Sequence, residues 1–203
     1  FFIKIGTIRV YKVGDIMIFS PKPIERYIAA LRSTVQGSVL KNGIKKHNRQ
    51  RLKKIIAAEA LTLRRELDSV NITGFADSLL GAAQIVAMQK GRGFKVRLSG
   101  NGNYKVNKRL LTALMLELVY CNANAIGIES GAPRTVIRAA GLSDTGMVLK
   151  LARAMRGDYM LEKQSGNIII RIPTLKTEII PEKTENEWYY LLDEFSPVNI
   201  WLK

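Results

Sequence analysis

From Ile24 onward, apolar side chains return at three- and four-residue steps through Tyr27, Ile28, Leu31, Val35 and Val39, the spacing of one helical face. Pro21 and Pro23 precede the run and suit a helix start, because a first turn tolerates proline's fixed φ and missing N–H. Lys41-Asn42-Gly43 supplies a C-cap and turn, and a second stripe follows on Leu52, Ile55, Ile56, Leu63, Leu67 and Val70. An antiparallel two-helix hairpin is expected over 21–72. Each stripe of a lone hairpin has one partner, so burying both requires a second hairpin or a neighbouring domain. Dimerisation into a four-helix bundle does this economically, and packing on the chain's own C-terminal domain is the alternative.

Near 71–73 the pattern changes to an alternation of helices and strands. A helix is expected from about Gly74 to Lys90, burying Phe75, Leu79, Ala82, Ala83 and Val86, and Phe94 to Leu98 alternates as a strand does. Ser99 to Asn103 reads as a turn, and a helix from about Asn107 turns Leu110, Leu111, Leu114, Leu118 and Cys121 inward. Strands at 125–129 and 135–139, a helix at 144–156 and a closing hairpin of 159–163 with 167–172 complete the order. This order implies an α/β (α+β) sandwich over 73–174, with helices on one face of a mixed sheet whose other face must be covered or exposed. Residues 1–20 alternate weakly and read as a strand or extended arm. The extension over 175–203 carries Trp188, Tyr189, Tyr190, Phe195, Ile200 and Trp201, more apolar surface than a disordered tail holds. It is expected to dock, either over the open face of the sheet or in the groove that the missing lid described below would leave.

Composition narrows the class. The chain has 203 residues and 47% apolar content, yet no uncharged apolar run of the roughly 18 residues a membrane span needs. Its opening Phe1-Phe2-Ile3-Lys4-Ile5 is interrupted by lysine and too short for a signal peptide. One cysteine cannot form an intramolecular disulfide, which agrees with a reducing cytoplasm, the location expected here.

The net charge of +15 is uneven. Lys41, Lys45, Lys46, Arg49, Arg51, Lys53 and Lys54 fall together without a carboxylate, whereas acidic residues gather after Glu178. The basic run is either a solvated helix face or an anion-binding segment for nucleic acid or an acidic protein surface. With a single cysteine and a single histidine, His47, no zinc cluster or nucleophilic triad can be assembled from spacing. Gly91-Arg92-Gly93 and Gly100-Asn101-Gly102 are too short for a P-loop.

The stretch Leu116-Glu117-Leu118-Val119-Tyr120-Cys121-Asn122-Ala123 closes the helix from Asn107. Together with the strand at 94–98 before it, Asp144-Thr145-Gly146 after it, and the ending Arg156-Gly157-Asp158-Tyr159 to Ile170-Arg171-Ile172-Pro173, it resembles the GHKL ATP-binding domain. That fold is shared by gyrase, the Hsp-ninety chaperone, MutL and sensor histidine kinases, and the resemblance covers roughly residues 74–173. The expected hairpin stands where histidine kinases carry their dimerisation and phosphotransfer helices.

The resemblance implies roles residue by residue. Glu117 matches the helix carboxylate that orients the attacking group, and its plain alternative is a surface glutamate. Cys121 stands at the amide position that holds Mg²⁺, where a thiol is a poor partner for a hard ion. Asn122 would serve only if the helix shifted by one residue, and otherwise caps the helix end. Asp144 and Gly146 resemble a glycine box that recognises adenine, with a helix cap as the alternative. One such box stands where the family has two, and the lid segment between them is missing. His47 begins the second helix inside the basic cluster, which is the wrong setting for a phosphoacceptor.

These readings lead to a dimeric, degenerate histidine-kinase-like signalling protein with a protein partner, and with ATP and Mg weakly bound or absent. Two alternatives stay open: an active ATP-binding kinase-like protein, and a basic nucleic-acid-binding module.

Overall fold

The computed structural model describes residues 3–5, 8–13, 16–20, 67–179, 186–193 and 196–202. The chain divides into two compact units, Phe1–Thr62 and Leu63–Lys203. In the first, the weak N-terminal alternation resolves into an antiparallel meander of β1 (Ile3–Ile5), β2 (Ile8–Val13) and β3 (Ile16–Ser20). Val10 stands opposite Ile3 on one side and Phe19 on the other. The expected hairpin up to residue 66, with His47 and the basic cluster, lies outside the described residues.

The second unit runs β4 (Asp68–Asn71), α1 (Ile72–Met88), β5 (Lys95–Ser99), β6 (Asn103–Val106), α2 (Lys108–Tyr120), β7 (Ala125–Glu129) and β8 (Arg134–Ala140). It continues with α3 (Gly146–Ala154), β9 (Asp158–Glu162), β10 (Asn167–Pro173), β11 (Leu175–Thr177), α4 (Glu187–Leu192) and α5 (Pro197–Leu202). The main helices and the five strands of the large sheet fall where periodicity puts them. Three short strands do not. Val70, expected on a helical stripe, instead pairs in β4 with Tyr104 of β6, and β11 pairs with the other edge of β6. Each of these strands is three or four residues long, too short to display a period, so only pairing at long range fixes it.

The large sheet has the order β5-β7-β8-β10-β9. Its β5–β7 pair is parallel and the other pairs are antiparallel, so α2 lies in the crossover that a parallel pair requires. Ile126, Ile128, Ile137, Ile168 and Ile170 alternate inward and are buried. Helices α1 and α3 pack on this sheet, and α2 packs against both. Asparagines start α1 and α2: Oδ1 of Asn71 accepts from the N–H of Gly74 at 2.9 Å, and Oδ1 of Asn107 from that of Leu110 at 2.9 Å. After β5 the chain turns at Gly100, whose φ is +89° and where a Cβ would stand 2.0 Å from the Ser130 carbonyl oxygen.

The outer sheet face mixes charged side chains with Val136, Ile169 and Met160. Arg138 pairs with Glu129 at 3.0 Å, and Asp158 takes Arg134 at 2.6 Å and Arg171 at 3.4 Å. The C-terminal extension does not cover that face. Its helices lie on the helical layer instead, α4 against α1 and α5 against both α1 and α2. The reason is in α2 itself, where every residue from Ala113 to Val119 is buried. A helix apolar all round must be covered all round, and α5 supplies part of that cover.

Candidate functional site

Glu117 and Cys121 are four residues apart on α2 and therefore share a helix face. Both are buried, at 4% and 3% exposure. A buried carboxylate is costly unless hydrogen-bonded, and this one is. The indole Nε1 of Trp201 donates to its Oε2 at 2.7 Å, and the Cys121 thiol donates to its Oε1 at 3.5 Å. Trp201 lies in α5 and is itself buried, so the matched carboxylate is held beneath the C-terminal extension.

The extension is fastened internally and to its neighbours. The Ser196 hydroxyl donates to the Tyr190 carbonyl at 2.5 Å, and the Asn199 amide donates to the carbonyls of Leu191 at 3.1 Å and Asp193 at 2.6 Å. Lys90, just past α1, donates to the Leu202 carbonyl. Tyr190, Val198, Ile200, Trp201 and Leu202 are buried, each contributing about 1.5–3 kcal/mol relative to exposure before ordering costs.

The end of α2 is a left-handed stop. Asn122 follows the C-cap with φ 62°. Its N–H bonds the Val119 carbonyl at 3.1 Å, while the N–H of Ala123 reaches the Leu118 carbonyl at 3.1 Å, a Schellman pattern. Asn122 therefore leaves the face that carries Glu117 and serves as the helix stop. Its Oδ1 accepts from Arg92 and its Nδ2 donates to Ser143 Oγ at 3.4 Å. Ser143 in turn donates from its N–H at 2.8 Å and its hydroxyl at 2.9 Å to the Cys121 carbonyl. The loop before α3 is thus stitched to the end of α2.

Asp144 is exposed on that loop, and its Oδ1 accepts from the N–H of Gly146 at 2.9 Å, the first residue of α3. A cavity of about 140 Å³ lies between the ends of α1 and α2, lined by Lys90, Arg92, Phe94, Asn122, Asn124 and Leu202. Its lining includes neither Glu117 nor Asp144. Among the described residues no group of three His, Cys, Asp or Glu side chains could hold a metal ion, and no helix is long and apolar enough to cross a membrane.

The structure brings Glu117 and Cys121 into contact and gathers Asn122, Ser143 and Asp144 at one end of α2. Sequence reasoning missed Trp201, Lys90 and Arg92. The apolar content of the extension predicted docking, yet the Trp201–Glu117 bond spans 84 positions, and no local pattern encodes such a pairing.

No protein-family model matches the chain, and no curated protein matches its sequence. Solved structures do. Full-length ShkA, solved in complex with AMPPNP, is similar with a TM-score of 0.52 and 12% identity, over 75% of this chain and 43% of that one. This chain therefore spans less than half of ShkA. The histidine kinase AdeS of Acinetobacter baumannii is similar at a TM-score of 0.46 and 12% identity, over 78% of this chain and 96% of that one. The cytoplasmic segment of histidine kinase QseC gives 0.46 and 13%, over 64% and 95%. The chain carries a histidine-kinase-like fold of the GHKL type.

Proposed function

We propose that this chain is a histidine-kinase-like signalling protein whose nucleotide site is degenerate, acting as a dimeric cytoplasmic scaffold or docking module through the helical hairpin expected over 21–72 and a protein partner. One observation carries the reading: the carboxylate that matches the catalytic position, Glu117, is 4% exposed and bonded to Trp201 of the chain's own extension. A group that orients an attacking water or hydroxyl must reach it, and this one reaches an indole.

The donors at the matching positions are a poor fit for Mg-ATP. Mg²⁺ takes oxygen ligands in near-octahedral geometry, whereas Cys121 offers a buried thiol. Asn122 is turned to Arg92 and Ser143, and Asp144 to the start of α3. ShkA was solved with AMPPNP, so the fold can host a nucleotide; in this sequence the contacts such a ligand needs are replaced. Incubation with γ-labelled ATP and Mg²⁺ tests it. The expected result is no retained label, and label that the His47→Ala variant abolishes would contradict the proposal. Sedimentation velocity tests the dimer: a dimer that becomes monomeric when Leu31 and Ile55 are changed to Asp is expected, and a monomeric native chain refutes it.

A further inference from the structure

Strand β5 ends the large sheet: β7 pairs with one side of it, and among the described residues no strand pairs with the other. The ladder fixes which peptide groups face that open side. The N–H of Lys95 bonds the Asn124 carbonyl at 2.9 Å, and the Ser99 carbonyl accepts from the N–H of Ser130 at 2.8 Å, so the odd-numbered residues turn their backbone to β7. The residues between them turn theirs away. The N–H and C=O of Val96 and Leu98 therefore lie along the open edge, without a partner among the described residues. Just before the strand, Gln84 Nε2 of α1 caps the Phe94 carbonyl at 3.0 Å, and no such cap reaches Val96 or Leu98. The whole edge lies well inside the described stretch 67–179.

The side chains of β5 divide by face. Val96 and Leu98 point to the helical layer but are only half-buried, whereas their partners on β7, Ile126 and Ile128, are 1% and 2% exposed. A strand laid beside β5 would complete their cover. Lys95 and Arg97 point to the outer face and are exposed. Opposite them on β7 stand Ala125 and Gly127, which offer a cation nothing, and a Cβ placed on Gly127 would find no atom nearer than 3.8 Å. Beyond Gly127, Arg138 already takes Glu129 at 3.0 Å. Neither Lys95 nor Arg97 forms a salt bridge with another described residue, and no carboxylate occurs in the sequence between Asp77 and Glu117.

An edge built in this way selects its partner by charge. A second copy of β5 would bring like charges together along the outer face, which opposes self-pairing. An extended peptide that alternates acidic and apolar residues meets all three features at once. Its backbone pairs with Val96 and Leu98, its apolar side chains cover them, and its carboxylates stand beside Lys95 and Arg97, at the Cβ separation of about 4.5–5.5 Å that directly opposed residues on neighbouring strands have.

We infer that β5 is a docking edge for an extended segment of a partner protein in which acidic and apolar residues alternate, and that this segment joins the five-stranded sheet as a further strand. The surface is distinct from the hairpin expected over 21–72, and the inference does not depend on the nucleotide site being degenerate.

Fluorescence anisotropy of a labelled hexapeptide of alternating glutamate and valine, titrated with the full chain, tests it. Saturable binding is expected, with roughly tenfold weaker binding of the alternating lysine–valine hexapeptide and of a hexapeptide with its glutamates and valines in two blocks. The fully N-methylated glutamate–valine peptide keeps every side chain but loses its backbone donors, and it should not bind. The double variant Lys95→Glu, Arg97→Glu changes two exposed side chains that face alanine and glycine, so its circular dichroism spectrum should match that of the native chain. It should bind the glutamate–valine peptide roughly tenfold more weakly and the lysine–valine peptide more tightly. No saturable binding of the glutamate–valine peptide, unchanged affinity after N-methylation, unchanged affinity in the double variant, or tighter binding of a uridine hexanucleotide overturns the inference.

Discussion

The Trp201–Glu117 bond can be weighed by a double-mutant cycle. Trp201→Phe keeps an aromatic ring under α2 but removes the indole N–H that donates to Oε2 at 2.7 Å. Hydrogen bonds to carboxylates contribute about 1.5–3 kcal/mol, and the smaller ring leaves a gap worth about 1 kcal/mol more. Glu117→Leu removes the acceptor instead, leaving the indole facing an apolar chain at a position 3% exposed, for a loss of about 1–3 kcal/mol. Replacing both partners with apolar groups leaves neither a donor nor an acceptor stranded at this contact. The double variant is therefore expected to be less destabilised than the sum of the singles by about 1–3 kcal/mol. Urea unfolding followed by far-ultraviolet circular dichroism measures all four corners. Losses that add to within about 0.3–0.5 kcal/mol would refute the coupling.

Three further outcomes are expected. Gly100→Ala places a Cβ 2.0 Å from the Ser130 carbonyl at a φ of +89°, so its urea midpoint should fall by the equivalent of about 2 kcal/mol or more; a change under about 0.5 kcal/mol would count against the turn geometry. Glu162, in the β9–β10 hairpin, is held below its usual value of 4.5 by hydrogen bonds from Ser165 and Asn167. The stabilisation from such a depressed carboxyl is complete above the unfolded value and disappears as pH falls through the folded one. Acid titration of stability should thus show a component that Glu162→Gln removes, and identical profiles would refute it. Native fluorescence should contain a blue-shifted emission from buried Trp201 that Trp201→Phe abolishes, leaving the red-shifted emission of Trp188, which is 65% exposed.

What could be read from the chain follows the range of the interactions. Helix α1 and the long strands announce themselves by period, because each buries one face along its length, and α2 announces itself by a long apolar run that is buried on all sides from Ala113 to Val119. The stop at Asn122 was legible as a cap, since asparagine tolerates the left-handed conformation. Strands β4, β6 and β11 were not legible, being fixed by partners tens of residues away. Glu117 illustrates the limit most sharply. A lone glutamate amid Leu116, Leu118 and Val119 is compatible with a catalytic group or with a solvated one. It is buried instead, 4% exposed, and the indole of a tryptophan near the end of the chain donates to it. The apolar tail hinted at docking, and only the fold says onto what.

The central proposal, a nucleotide-binding fold whose site is closed and chemically altered, is tested most directly by calorimetric titration of Mg-ATP into the full chain, with Glu117→Ala alongside. No saturable, magnesium-dependent binding is expected in either protein. Saturable binding to the native chain that requires Mg²⁺ and is lost in Glu117→Ala would contradict the proposal.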